Sequence, residues 1–300
     1  MKEERVTVFG LGRIGSRITR ILSEDVSPNL TLVNVDRTPS DTDIPGVQYI
    51  CSDNITEQPL RDLVHSSDMV ILITDLGSKL ATEVPPIIGF LAKQSNIFSL
   101  EFGVQPSLCE TTSRIKRADN NLGLNRESVH CILPFSYDTT TELGIRKASV
   151  KCDFERMDHA IALHIRALAE SMIVGAINVD VYLLKETLER DAYIGFGSAN
   201  ITTGEGYVHE AVSQALTNTL VKNDIRTAKK ALIYVKFDCG CSLEDAEQAF
   251  ELAESMLKTD AEILIGMGID TEAKNGDLSV LILGSGFNNW DDLEEEVLYF

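Results

Sequence analysis

The strongest constraint on the fold is an alternation between Arg5 and Phe135. Five apolar runs, "RVTVFGLG" (5–12), "LTLVNVD" (30–36), "SSDMVILIT" (66–74), "NIFSLEF" (96–102) and "VHCILPF" (129–135), are separated by stretches of helical pattern. Each run has strand length, and most are rich in β-branched residues. Between them, "SRITRILSE" places Ile18, Ile21 and Leu22 at helical spacing, and "PPIIGFLAK" reads as a further helix. Strands that are apolar on both faces belong to a parallel sheet covered by helices on both sides. Ligands of such sheets lie beyond the carboxyl ends of the strands.

A long helical stretch follows at about 155–173, with Ile161, Ile165, Leu168 and Met172 forming a stripe suited to burial between two layers. Beyond it, residues 230–287 run as a strand, an amphipathic helix, a strand ending Gly266-Met267-Gly268-Ile269-Asp270 and a strand ending Gly284-Ser285-Gly286-Phe287. The expected organisation is a Rossmann-like α/β nucleotide-binding domain over 1–152, a central helix over 153–174 and a smaller α+β domain over 175–287. An acidic tail over 288–300 would complete it and is a candidate partner-binding peptide.

Gly10-Leu11-Gly12-Arg13-Ile14-Gly15 is a G-x-G-x-x-G between a strand and a helix, and Asp36 closes the next strand. Such glycines let backbone approach a phosphate, the helix N-terminus favours the anion, and a strand-end acid can bind a ribose hydroxyl. Read alone, the motif fits NAD(H) or NADP(H), a structural tight turn, or another phosphate ligand.

The chain from Gly175 to Phe287, including "DAYIGFGSANITTGEGYVHEAVSQALTNTL" (191–220), resembles the C-terminal domain of the FtsZ/tubulin superfamily of filament-forming GTPases. The resemblance implies GTP or GDP, with Mg2+, held by Gly10, Gly12, Gly15 and Ser16, and by Asp36 of Asn34-Val35-Asp36. It makes 74–83 the phosphate loop, with Gly77 left of a glycine run and Ser78 and Lys79 beside it. Glu110 and Arg114 take the places of a nucleotide-contacting pair. Phe154 would stack on the base, and Asp158 and His159 stand where the base edge is read. Asn178 and Asp180 correspond to a catalytic loop that completes the site of the next subunit, while Leu183 replaces that loop's second acid. The resemblance therefore implies head-to-tail assembly or co-assembly with an FtsZ-family protein. It also implies slow or absent GTP hydrolysis, completed at the subunit interface, and a role in cell division or cell shape. A nucleotide-free structural or regulatory partner of an active FtsZ is the alternative. An NAD(P)-dependent oxidoreductase is a third, with His130 and His159 its only acid-base candidates.

A net charge of −19 argues against nucleic acid and anionic membranes as direct partners. The chain holds no apolar run long enough to span a bilayer, and its first residues do not read as a signal peptide, so a cytoplasmic location is expected. Among Cys51, Cys109, Cys131, Cys152, Cys239 and Cys241, only the last two are close, as C-x-C. No second pair or His cluster accompanies them, so no metal site is expected.

Overall fold

A computed structural model describes residues 4–37, 44–54, 57–107, 109–136, 150–173, 175–204, 206–221, 223–258, 260–271 and 273–287. The apolar runs become β1 (Val6–Leu11), β2 (Leu30–Asp36), β4 (Met69–Asp75), β5 (Phe98–Gln105) and β6 (Cys131–Ser136). Between them lie α1 (Gly12–Glu24), β3 (Val47–Cys51), α2 (Glu57–His65), α3 (Leu80–Gln94) and α4 (Thr112–Ser128). With β7 (Arg190–Asp191) the strands form one sheet in the order β3-β2-β1-β4-β5-β6-β7, every pair parallel.

Alternation along each strand sends side chains to two separate cores. Val6, Val8, Ile71 and Leu100 pack beneath Ile18 and Leu22 of α1 and Ile161, Ile165 and Leu168 of the central helix α5 (Val150–Ser171). Phe9, Val33 and Leu72 face Leu60 of α2 and Ile88 and Leu91 of α3.

After α5, α6 (Val181–Thr187) crosses the amino-terminal end of this sheet, where Lys185 Nζ reaches Asn96 just ahead of β5. A second sheet is built from β8 (Tyr193–Asn200), β9 (Lys230–Asp238), β10 (Glu262–Asp270) and β11 (Asp277–Ser285), in the order β10-β9-β11-β8. Strands β9 and β10 are parallel and joined by α8 (Leu243–Ser255), while β11 runs antiparallel to β8 and β9. Helix α7 (Tyr207–Thr217) packs so closely on β8 that a Cβ at Gly195 would lie 1.9 Å from the Ala215 carbonyl oxygen.

The sequence reading anticipates neither β3 nor β7. The first is a short, half-buried strand at the sheet edge, and the second has two residues. Because β7 pairs with Cys131 and Ile132, the first sheet includes a strand that lies beyond residue 175. Helix α3 begins at Leu80 and runs through Pro85 and Pro86. Among the described residues, no helix is long and apolar enough to cross a membrane. The acidic segment 288–300 and the Cys152 side chain lie outside the described residues.

Candidate functional site

A cleft of about 510 Å³ opens at the carboxyl ends of β4 and β5, against α1 and α5. Ile14 and Arg17 come from α1, Asp75 from β4, Gln105 from β5, Arg114 from α4, and Phe154, Glu155 and Asp158 from α5, with Pro106 and Glu110 on the loop before α4. The volume is that of a small-molecule site.

The glycine loop forms the floor beside it, and its three glycines have different reasons to be there. A Cβ at Gly15 would lie 2.3 Å from the Gly10 carbonyl carbon, and one at Gly10 would lie 2.7 Å from the Gly15 oxygen. These two allow helix α1 to touch strand β1. Gly12 has φ +64° and only Leu80 Cδ1, at 3.5 Å, near its missing Cβ, so its backbone stays open. Leu11 at the N-cap gives α1 no side-chain cap, and the first turn has no acidic residue. The uncapped N–H groups there suit a phosphate. Ser16 lies in the second turn. Asn34 is buried and accepts a hydrogen bond from Thr19 Oγ1 at 2.6 Å, and the Asp36 carboxylate accepts from the Arg37 N–H at 2.6 Å.

The second loop, 75–79, is closed on itself. Gly77 donates its N–H to Asp75 Oδ1 at 3.0 Å, and Ser78 donates to the Asp75 carbonyl at 2.9 Å. Helix α4 clamps the loop from outside. Arg114 Nη2 reaches both Asp75 oxygens at 2.9 and 2.8 Å, Arg117 donates to the Gly77 carbonyl at 3.0 Å, and Asn121 donates to the Leu76 carbonyl at 2.8 Å. Arg114 also pairs with Glu110 at 2.8 Å. Ser78 Oγ accepts from the Ala81 N–H at 3.2 Å at the start of α3, and Lys79 is exposed. A phosphate would have to compete with the Asp75 carboxylate for the Gly77 amide, so this half of the cleft does not fit a phosphate as it stands.

On α5, Phe154 lines the cleft and is partly exposed. Asp158 also lines it but is buried, with Arg17 Nε at 2.6 Å and Nη2 at 3.2 Å from its two oxygens. His159 is exposed and lies outside the cleft lining, because adjacent helical positions point about 100° apart.

Asn178 and Asp180 lie at the opposite end of the first domain. Asn178 Oδ1 accepts from the Gly175 N–H at 2.7 Å, and Asp180 caps α6 by accepting from the Leu183 N–H at 2.9 Å. The neighbouring Tyr182 borders a hollow formed with Arg5, Asp68 and Asn96, all at the amino ends of the strands, and is 70% exposed. Within one chain these residues therefore do not meet the cleft. Among the described residues, no group of three His, Cys, Asp or Glu side chains could hold a metal ion.

Sequence reasoning misses Arg17, Arg117 and Asn121, and does not foresee that Asp75 accepts from the Gly77 amide. The available signal was polar: a long helix carrying "RIKRADNN" needs a reason for a buried Asn121, and the loop carbonyls supply it.

The strand order, the central helix and the paired sheets define a two-domain protein of the FtsZ/tubulin type. The family model described as FtsZ family, C-terminal domain, matches residues 190–288. Cell division protein FtsZ 1 of Archaeoglobus fulgidus is 26% identical over 231 residues, covering 76% of this chain and 62% of that protein. An empty FtsZ dimer from M. jannaschii superimposes with a TM-score of 0.77 at 23% identity, covering 95% of this chain and 89% of the other. A GTPγS-bound protofilament of CetZ2 from Haloferax volcanii gives 0.71 at 17% identity, covering 97% and 96%. Residues 190–288 thus match the FtsZ family's C-terminal domain, and the fold of the chain is that of the FtsZ/tubulin superfamily. The chain spans about three fifths of the length of the first of these, the A. fulgidus protein.

Proposed function

We propose that the chain is a cytoskeletal subunit that stacks head to tail and serves cell division or cell shape. In this reading it binds a guanine nucleotide weakly in the cleft and hydrolyses it slowly. One observation carries the stacking: the cleft and the Asn178–Asp180 segment sit at opposite ends of the same sheet, so one molecule can complete the site only of another. Such heterologous contacts extend into filaments. The related FtsZ dimer and CetZ2 protofilament support the same arrangement.

The uncapped N-terminus of α1 and the open backbone of Gly12 support a nucleotide phosphate, with Phe154 placed to stack on a base. When bound, the nucleotide supplies the phosphoanhydride and the oxygens that would carry Mg2+. Weak binding follows from the engaged Gly77 amide. Slow hydrolysis follows from Leu183, which offers no carboxylate to position a water. The superfamily fold accounts for the glycine loop without a nicotinamide cofactor. The closed 75–79 loop favours a second reading, a nucleotide-free subunit that co-assembles with an FtsZ-family protein.

Nucleotide content of the purified protein, calorimetric titration with GTP, GDP, ATP and NAD(H), and sedimentation with and without GTP test these readings together. Guanine-selective binding with GTP-dependent pelleting supports the first reading. No binding, with pelleting only beside an active FtsZ, supports the second. Binding of NAD(H) alone refutes both.

A further inference from the structure

On the α5 wall of the cleft, Phe154 and Asp158 stand one helical turn apart, so they share a face of the helix, about 6 Å from each other. A planar base stacked on the Phe154 ring would turn an edge toward the Asp158 carboxylate. That carboxylate is 3% exposed and, when ionised, offers only acceptors. It suits an edge with two adjacent N–H donors, which guanine has in its N1–H and 2-amino groups. Adenine sets its amino donor beside an acceptor.

Arg17 already holds this carboxylate. It reaches across from α1, with Nε 2.6 Å from Oδ2 and Nη2 3.2 Å from Oδ1, so each oxygen takes an N–H from the same guanidinium. Such a charge-assisted fork is stronger than N–H contacts from a neutral base. Arg17 also lines the cleft, and 47% of its side chain is exposed. Water thus reaches the arginine and hardly reaches the acid, so the arginine is the partner that can withdraw.

A buried carboxylate needs a partner wherever it stands. Here, however, α1 and α5 are already joined through Ile18, Leu22, Ile161 and Ile165 in the core. The ion pair lies outside that contact, on the cleft lining, beside the ring on which a base would stack.

We propose that Arg17 determines base selection in the cleft by competing with the base edge for Asp158. A guanine nucleotide pairs with the carboxylate only by displacing the guanidinium, and an adenine nucleotide gains nothing from doing so. The inference rests on the nucleotide reading above and adds to it a second source of weak binding. At the 75–79 loop and at α5 the obstacle has one form: an acid and an arginine of the same chain satisfy each other where a ligand would bind.

Calorimetric titration with GTP and with ATP tests this in the unaltered chain, in Arg17→Met and in Arg17→Met combined with Asp158→Asn. The readout is the ratio of the two affinities. Loss of the arginine's charge acts on both triphosphates alike and cancels in the ratio, as does any loss of folded protein. Arg17→Met should raise the preference for GTP about tenfold, and adding Asp158→Asn should return it to within about twofold of the unaltered chain. Arg17→Gln keeps a neutral N–H donor beside Asp158, so it should raise the preference by less, and it decides the matter if Arg17→Met does not fold. An unchanged or lower ratio in the Arg17 variants overturns the proposal, and so does a gain that survives Asp158→Asn. If the unaltered chain binds GTP and the ratio does not rise, the role of Arg17 alone is refuted. If none of the proteins binds either nucleotide, the nucleotide reading fails and takes this inference with it.

Discussion

Glu101 lies on β5, fully buried, with Asn125 Nδ2 donating to its Oε1 at 2.8 Å. Burial raises its pKa to about 7, against the lowering effect of the Asn125 hydrogen bond. The folded chain thus holds this proton more tightly than the unfolded chain, whose carboxyl has a pKa near 4.5. Below that value both states are protonated and the group costs nothing. Between about 4.5 and 7 the unfolded chain releases its proton while the folded chain keeps it, so stability falls as pH rises. Above 7 the loss is constant, on the order of 3 kcal/mol. Glu101→Gln keeps an acceptor for Asn125 and should flatten this slope. Urea unfolding at pH 5 and pH 8 reads the result, and an unchanged slope would mean that Glu101 is not the group responsible. The glycines make a second residue-scale test. Gly15→Ala forces a Cβ into the Gly10 backbone and should destabilise by roughly 3 kcal/mol or more. Gly12→Ala meets only an ordinary contact with Leu80 and should cost about 1–2 kcal/mol, from its left-handed φ. Melting temperatures separate the two. A G-x-G-x-x-G reads in sequence as one ligand motif, yet here two of its glycines serve helix–strand contact, a division that only the packed backbone reveals.

At the scale of elements, the 75–79 loop shows what sequence left illegible. Loss of the glycine run was visible, and so was the i,i+4 spacing of Glu110 and Arg114. What replaced the phosphate was not, because Asp75, Arg117 and Asn121 meet only when α4 lies against the end of β4. Asp75→Asn should loosen Arg114 from the loop, leaving its pair with Glu110, and weaken the acceptor that holds the Gly77 amide. If the cleft binds phosphate, affinity for GTP should rise, by about tenfold if one charge-assisted contact is regained. Calorimetry on both proteins decides, and unchanged affinity would show that Asp75 is not what opposes phosphate. Helix α3 was misplaced for a related reason. Pro85 and Pro86 read as a first turn, where the missing N–H costs nothing, but the helix starts at Leu80, which packs with Val84 and Ile88 in the core. Apolar burial outweighed the local signal. By contrast β9, α8, β10 and β11 were legible because their local signals agree. One is the capping box at Ser242, where Asp245 donates its N–H to the serine hydroxyl and accepts from the Ser242 N–H. Ser242→Ala should cost about 1 kcal/mol, measurable in the same urea series.

For the whole molecule, polarity is the consequential property. The cleft occupies one end of the first sheet, and α6, capped by Asp180, occupies the other. Asp180 and Asn178 already bind backbone in the free chain, so replacing them would disturb α6 as well as any neighbour. Tyr182 separates these effects, since it is 70% exposed and carries no hydrogen bond to another described residue. In head-to-tail stacking, a Tyr182→Glu subunit would keep a sound cleft end and lose the end that reaches into the next cleft. It could join a growing filament at one end only and would then block it. Added at about one part in ten to unaltered protein, it should shorten filaments severalfold without changing the number of subunits bound to nucleotide, as expected of a heterologous contact that cannot continue. Filament lengths by electron microscopy provide the readout, with Tyr182→Phe as the control that retains the ring. If Tyr182→Glu leaves lengths unchanged while the variant copurifies with filaments, α6 lies outside the contact, and stacking through opposite ends of the first sheet is wrong.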